Sequence, residues 1–473
     1  MRRVVVVGGG AAAHRLVAGL RAGGFDGSVA VLGAEPRPGY HRVLLGSVVD
    51  GTLRGADLAL PAPAAEVHAG AIAAELDRDR RVVRTASGDE HPYDVLVLAT
   101  GARARQPELP GAAPDRVRPL RTLPDATWLA AAAGPVAVLG GGVLGVETAV
   151  ALRARGLDAT LVHPGPGPMD RLLDATAGRL LADRLGQLGV DLALRRRAVG
   201  HRPGELLLDD GTAVPAERVV VCAGTAAEVG LAERAGLAVR RGVVVDDELR
   251  TGDPRIRALG DCAEHAGVLT GQLDPAWRQA DVLAGLLTGA DQRYRPGRQM
   301  TRLRARGIDL VSLGPAERRA DPAAEVVALS DPARGRYATV TVHDERITGG
   351  VLLGFPRAIA ALTQLHDRGL PLPADRLALL LGGPAPTGTA ATGAATTGAA
   401  ATGTGRVTAP PVLCHCNAVT RDALVAAWRS GARSVAELAR TTRATTGCGG
   451  CTEEVARLCD RLRDHDGIEE GAA

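Results

Sequence analysis

The sequence predicts a multidomain α/β protein: two parallel-sheet units, a small α+β domain, a tether and a small helical module at the carboxyl end. Three observations predict it. A short apolar strand that runs into a glycine-rich turn and then a helical pattern occurs twice, starting at Arg3 and again at Pro135. The stretch from Gly382 to Pro410 is almost entirely glycine, alanine, threonine and proline. Four cysteines then fall in two tight pairs, Cys414 with Cys416 and Cys448 with Cys451, separated by 31 residues. A chain of 473 residues is too long for one ordinary core, so roughly two to four domains are expected.

Composition narrows the class. The apolar fraction of 46% and charged fraction of 23% are those of globular proteins, and a net charge of +3 gives no basis for nucleic-acid or membrane-surface binding. All 56 cations are arginine, a compositional bias that carries no functional information. The basic start Met1-Arg2-Arg3 leads into an apolar run too short for a signal peptide, and no stretch approaches the ~20 apolar residues of a membrane span. A cytoplasmic protein is expected. In that reducing setting, clustered cysteines favour metal or redox chemistry over structural disulfides, whereas the scattered Cys222, Cys262 and Cys459 read as small packing residues.

In chain order, the strand Arg3 to Val7 is followed by Gly8-Gly9-Gly10-Ala11-Ala12-Ala13 and a helical pattern through Leu16, Val17 and Leu20. This is the G-x-G-x-x-A turn of a Rossmann-like unit. Gly8 permits the tight turn, Gly10 lets a pyrophosphate approach the backbone, and Ala13 lets the helix sit close to the strand. The helix amino terminus offers free N–H groups and a positive dipole end to the phosphates. A second strand, Val29 to Leu32, ends near Glu35, which is placed to accept a ribose hydroxyl. The same grammar recurs at Pro135 to Leu139 with Gly140, Gly142 and Gly145 forming a complete G-x-G-x-x-G. Its next strand ends at His163 with no adjacent acid, and no arginine pair is evident in the sequence as a clamp for a 2′-phosphate, so the reading leans to NADH. Two loops imply two dinucleotides. Tyr93 to Ala99 ends in Thr100-Gly101, and Val219 to Val221 ends in Cys222-Ala223-Gly224, which mark crossings between two α/β units; a later strand delivers Gly260 and Asp261 to a helix start.

With these residues in view, the body resembles the pyridine nucleotide–disulfide oxidoreductases, whose FAD half is interrupted by an inserted NAD(P)H half. The resemblance places Gly8, Gly10, Ala13, Glu35 and Asp261, with Thr100, Gly101 and Gly260, at the FAD site. It places Gly140, Gly142 and Gly145 at the nicotinamide site. Glu147 either matches a family glutamate near the nicotinamide or serves the helix dipole. Over roughly residues 2 to 380 the chain is similar to the flavin portion of assimilatory nitrite reductase large subunits, notably in Glu35-Pro36-Arg37-Pro38-Gly39-Tyr40-His41-Arg42-Val43-Leu44-Leu45. By that likeness Arg42 lies against the FAD, the alternative being a solvated loop arginine. One departure stands out: the redox-active cysteine pair of the disulfide-reducing members is missing, because Cys222 and Cys262 each stand alone in sequence. Electrons need another exit.

The tail supplies one. Four thiolates hold either a [2Fe–2S] cluster or zinc, and spacing alone leaves the metal open. The module resembles the bacterioferritin-associated ferredoxin domain in its C-x-C, its C-x-x-C and its G-C-G-x-C context, which implies Cys414, Cys416, Cys448 and Cys451 as ligands of one [2Fe–2S] cluster. Between body and module, Asp291 to Leu381 reads as an antiparallel hairpin turning at Asp344-Glu345-Arg346, followed by a helix from Pro356 to Asp367. Gly382 to Pro410 cannot bury a core and reads as a flexible tether.

The expected division is therefore 1–110 with 253–292 for the FAD half, 111–252 for the NAD(P)H half, 293–381 for the small α+β domain, 382–410 for the tether and 411–465 for the cluster module. The expected function is electron transfer from NAD(P)H through FAD and the cluster to a catalytic subunit, by resemblance that of an assimilatory nitrate or nitrite reductase. The further cysteines of a sirohaem domain are not in this sequence, so nitrite reduction unaided is not expected. Two alternatives remain: a reductase for bacterioferritin or a ferredoxin, and a flavoprotein with a zinc-held interaction or sensing module.

Overall fold

The computed structural model describes residues 2–316, 324–381, 412–414, 419–442, 444–445 and 451–470, and it divides into two units, Met1–Pro168 with Leu188–Gly297, and Met169–Gln187 with Arg298–Ala473. The tether expected at 382–410 lies outside the described residues.

The first unit contains two parallel five-stranded sheets. In the first sheet, Arg3–Val7 lies between Ser28–Gly33 and Val95–Leu98, with Glu66–Ala69 and Ile256–Ala258 at the edges. Val4, Val5 and Val6 are at most 1% exposed, as expected where helices cover both faces and the strand reads as a continuous apolar run. Helix Ala11–Ala22 packs beside Leu273–Leu287 so closely that a Cβ on Gly19 would lie 2.8 Å from the Cβ of Ala284. Leu231, Val243 and Leu249 also join this core.

In the second sheet, Val136–Leu139 lies between Ala159–His163 and Arg218–Val221, with Val190–Leu194 and Val117–Pro119 outermost. The first sheet is completed by Ile256–Ala258 only after the second has been built, so one α/β half is inserted in the other. The two crossings meet: Ala102–Ala104 pairs antiparallel with Thr225–Ala227.

The second unit holds an antiparallel five-stranded sheet in the order Met300–Arg302, Leu310–Leu313, Arg346–Leu353, Arg336–His343, Glu325–Asp331. Its tight turn falls at Asp344 and Glu345, both at positive φ of 46° and 56°, matching the right-handed strand twist that favours such two-residue turns. Helix Pro356–Arg368 buries Ile359 and Leu362 in this core. Helix Ala175–Gln187, although it follows a strand of the second parallel sheet, belongs to this unit, and Tyr337 donates from its hydroxyl to Asp174 Oδ2 at 3.1 Å. The carboxyl-terminal module pairs Val412–Cys414 with Val419–Thr420 and packs helices Arg421–Arg429, Val435–Thr442 and Thr452–Glu470 around Leu424, Trp428, Leu438, Val455 and Leu458. No described helix is long and apolar enough to cross a membrane.

Candidate functional site: two cradles and a cysteine module

Both glycine loops stand at the carboxyl edge of a central parallel strand, and they repeat one geometry. Gly8 (φ +119°) and Gly140 (φ +117°) turn over a neighbouring carbonyl; a Cβ there would lie 2.0 Å from Ala99 O and 2.4 Å from Cys222 O. Only glycine fits either place. Gly10 (φ −82°, ψ −177°) and Gly142 (φ −74°, ψ −176°) cap the helices Ala11–Ala22 and Val143–Ala154 from an extended backbone. Neither helix has an acid in its first turn, and no atom lies within 4 Å of a Cβ built on Gly10 or Gly142. Each loop is thus an open cradle of backbone N–H groups at a positive helix end, which fits a pyrophosphate. Ala13 is fully buried, and a Cβ on Gly145 would lie 1.7 Å from Gly140 O, so each helix sits tight against its own loop.

Around the first cradle the structure gathers residues far apart in sequence. The hydroxyl of Thr100 donates to Glu228 O at 2.5 Å, and Gly101 O accepts the Glu228 N–H at 2.9 Å, joining the two crossings. Gly260 (φ +77°) lies against the first helix, 3.4 Å from the Ala12 Cβ by its own Cβ position, and its N–H donates to the buried Gln279 Oε1 at 2.7 Å. Glu35 receives Arg42 at 2.7 Å on one carboxylate oxygen and the Tyr40 hydroxyl at 2.9 Å on the other. Arg42 also donates to Tyr40 Oη at 2.8 Å and to Arg121 O at 2.6 Å. Burial lowers the Arg42 pKa, but Tyr40 and Glu35 outweigh it and the net shift is upward. Arg121 then pairs with Asp261 at 3.0 Å and donates to Ala102 O at 3.1 Å. Glu35, Arg42, Thr100 and Arg121 line a cleft of about 960 Å³. A second cleft, of about 610 Å³ near Arg78 and Asp253, contains none of the residues named from sequence.

Arg121 and Gln279 were not singled out by the sequence. For Arg121 a local signal existed: it stands between the strand Val117–Pro119 and the helix cap Thr122, at the ligand-facing end of a parallel strand. Gln279 gave none, being an interior position of a helix.

Around the second cradle, His163 Nδ1 accepts the Gly141 N–H at 3.1 Å, so the position without an acid is filled by a ring packed on the loop. Glu147 is half-buried in the following helix. The Cys222 thiol is pushed up to about 12, chiefly by burial, with the Glu147 charge acting in the same direction and a hydrogen bond from Thr148 opposing it. Cys262 is fully buried against Leu98 O and Leu259 O, and burial raises its pKa too. Both are free thiols.

In the module the structure gives the backbone of Cys414, at the end of a strand, and the whole of Cys451, at the start of helix Thr452–Glu470. Cys416 and Cys448 lie outside the described residues. Cys451 is buried, and its sulfur accepts the Thr445 N–H at 3.3 Å, an interaction that suits a thiolate ligand. Cys459 is in the core among Leu424 and Leu458, its pKa raised by burial.

Residues 2–281 match the pyridine nucleotide-disulphide oxidoreductase family, residues 300–365 the rubredoxin NAD+ reductase C-terminal domain and residues 412–461 the BFD-like [2Fe-2S] binding domain. The chain is similar to the nitrite reductase [NAD(P)H] of Bacillus subtilis (strain 168), at 30% identity over 98% of this chain and 58% of that protein. It is similar also to the assimilatory nitrate reductase electron transfer subunit of the same organism, at 29% identity over 97% of this chain and 59% of that protein. It thus spans about three-fifths of the length of these curated relatives. Among solved structures it is similar to the covalent putidaredoxin reductase–putidaredoxin complex, with a TM-score of 0.73 and 25% identity over 80% of this chain and 97% of that chain. The chain therefore belongs to the pyridine nucleotide-disulphide oxidoreductase family, as an NAD(P)H-dependent FAD oxidoreductase with an appended [2Fe–2S] domain.

Proposed function

We propose that this protein is the electron-delivering component of an assimilatory nitrate or nitrite reductase system in the cytoplasm, passing electrons from NAD(P)H to a separate catalytic subunit. The observation that carries the reading is the state of the body's thiols. Cys222 and Cys262 are buried singly and held protonated, so neither offers the thiolate that a disulfide relay needs. The cysteine module is then the exit.

In this reading the first cradle, with Gly8, Gly10 and Ala13, holds the FAD pyrophosphate, while Glu35 accepts from its adenosine ribose. Arg42, Arg121, Thr100, Gly101, Gly260 and Asp261 bind along the rest of the molecule. The second cradle, with Gly140, Gly142 and Gly145, holds the nicotinamide dinucleotide, and Glu147 stands on the helix that follows. Bound FAD supplies the link between a two-electron hydride donor and one-electron acceptors. The protein's work is to bind and orient, since hydride transfer needs alignment more than a side-chain base. Cys414, Cys416, Cys448 and Cys451 hold the cluster, and the Thr445 N–H reduces the charge on one of its sulfurs. A net charge of +3 on 473 residues gives no ground for nucleic acid as a partner.

The test is reconstitution: purified protein, NAD(P)H, nitrate and a candidate catalytic subunit. Nitrate-dependent nucleotide oxidation is expected, with its loss in Cys448→Ser while dye reduction by the flavin persists. An unchanged coupled rate in that variant refutes the route. The likeness to putidaredoxin reductase supports a second reading, in which the acceptor is a separate ferredoxin; a ferredoxin reduced faster than the catalytic subunit would establish it.

A further inference from the structure

Arg195, Arg196 and Arg197 form a turn at the carboxyl edge of the second sheet, directly after the strand Val190–Leu194. That strand runs parallel to Ala159–His163, with Leu194 opposite His163. Backbone hydrogen bonds lace the turn to the loop beyond His163: Arg196 N–H donates to His163 O and Arg195 N–H to Gly165 O, both at 3.1 Å. In a dinucleotide-binding unit the end of this second strand is where the adenosine ribose lies, and an acid there accepts the 2′-hydroxyl while an arginine accommodates a 2′-phosphate.

We propose that this turn binds the 2′-phosphate of NADPH and that NADPH is the preferred reductant. The inference rests on the assignment of the second glycine loop to the nicotinamide dinucleotide. Four observations carry it. The strand ends in a histidine, and the next acid in sequence is Asp170, so no adjacent carboxylate repels a phosphate. Arg195 and Arg197 are exposed and in no ion pair among the described residues, whereas Arg196 is paired with Asp210. The Asp209 carboxylate accepts the backbone N–H of Arg197 at 3.1 Å and Asp210 pairs with the Arg196 guanidinium, so three arginines are accompanied by two carboxylates and the turn stays positive. Finally, Arg195 holds φ +57°, a left-handed conformation that glycine or asparagine adopts more readily. A guanidinium is suited to this task because it meets phosphate oxygens with two parallel N–H donors. The sequence concealed the turn because these arginines lie some thirty residues beyond His163 and reach it only through sheet pairing.

The experiment compares two readouts on the full chain loaded with FAD. Flavin reduction should show kcat/KM at least ~10-fold higher for NADPH than for NADH, and adenosine 2′,5′-bisphosphate should bind at least ~10-fold tighter than 5′-AMP by calorimetry. The double variant Arg195→Ala, Arg197→Ala should lower both ratios by ~10-fold or more, and Arg195→Lys, Arg197→Lys should retain part of them. NADH used as well as or better than NADPH by the unaltered protein overturns the proposal, as do ratios unmoved in a folded double variant. If neither nucleotide reduces the flavin, the reductase reading fails, and the calorimetric ratio by itself then decides the role of the turn.

Discussion

Gly142→Ala should separate nucleotide binding from folding. Gly142 has φ −74° and ψ −176°, an extended conformation that alanine adopts freely. Replacing glycine by alanine there narrows the unfolded ensemble, a gain of about 0.4–1 kcal/mol, and weakens a helix cap by a similar amount. The two offset, and the melting temperature should stay within a few degrees. The new methyl group meets no protein atom within 4 Å, because it enters the open cradle. A phosphate oxygen must come within ~2.9 Å of a backbone N–H to be bound, and the methyl group stands in that approach. Losing one hydrogen bond to a charged group costs about 1.5–3 kcal/mol, which is roughly 10- to 150-fold in affinity.

Gly145→Ala is the contrasting variant. Its methyl group would fall 1.7 Å from Gly140 O, so the helix must retreat from the loop, and overpacking of this kind costs about 1–3 kcal/mol or more of stability. The assay pairs thermal melts with stopped-flow flavin reduction over a range of nucleotide concentrations. Gly142→Ala should melt like the unaltered protein, keep its flavin and need far more nucleotide; Gly145→Ala should melt early. A Gly142→Ala variant whose nucleotide dependence moves less than ~2-fold refutes the pyrophosphate cradle.

Arg121→Ala should weaken FAD retention by roughly 10- to 150-fold, by removing a charge-assisted hydrogen-bond donor from the cleft and leaving Asp261 without its guanidinium; titrating the flavin-free protein with FAD measures it, and unchanged affinity would remove Arg121 from the site. Within the module, Cys451→Ala should lose iron while Cys459→Ala should keep it, because the first sulfur sits at a helix start with an N–H donor and the second fills a core; equal iron content in both by chemical assay contradicts the ligand assignment. Stability should fall at alkaline pH. Burial raises Cys222 from 9.0 to about 12, so the unfolded chain loses this proton near pH 9 while the native protein keeps it. The contribution is intact below pH 9 and drains away up to about pH 12, at up to about 1.4 kcal/mol per pH unit. In denaturant titrations at pH 7, 9 and 10 Cys222→Ala should flatten this slope, and an unaltered slope would mean that the thiol ionises in the native state.

What was legible in the sequence was whatever is specified within a few residues. A strand, Gly8 to Ala13 and a helix form one continuous passage, and so do their counterparts at Gly140 to Gly145; backbone sterics alone dictate both turns. The hairpin at Asp344 and Glu345 is equally local. Other contacts were hidden because sheet order, not chain order, creates them. Arg121 meets Asp261 across 140 residues, and Gly260 meets Gln279 only because the helix after it folds back on the first sheet. Glu35 illustrates a middle case: its place after the second strand was readable, but its grip on Arg42 and Tyr40 depends on a loop whose path no periodicity predicts. The helix Ala175–Gln187 shows the same limit, since its sequence follows the second parallel sheet while its partners lie on the antiparallel one.

The cysteines show how structure adds to spacing. Spacing sorts them into two close pairs, which favour metal or redox chemistry, and three singles, which read as packing residues. In the body, Cys222 lies against the Gly140 turn and Cys262 against Leu98 O and Leu259 O, where removal from water favours the neutral thiol over the thiolate. A thiol held in that form neither attacks a disulfide nor takes part in a relay at neutral pH. Cys451 is buried too, and its sulfur accepts a backbone N–H beside a helix start; both features favour negative charge on sulfur. Burial opposes charge at all three sulfurs and hydrogen bonds offset part of it at each, but of the three only Cys451 also stands at the start of a long helix, whose dipole favours the thiolate. That difference, more than the count of cysteines, points electrons away from the body's own sulfur and toward the tail.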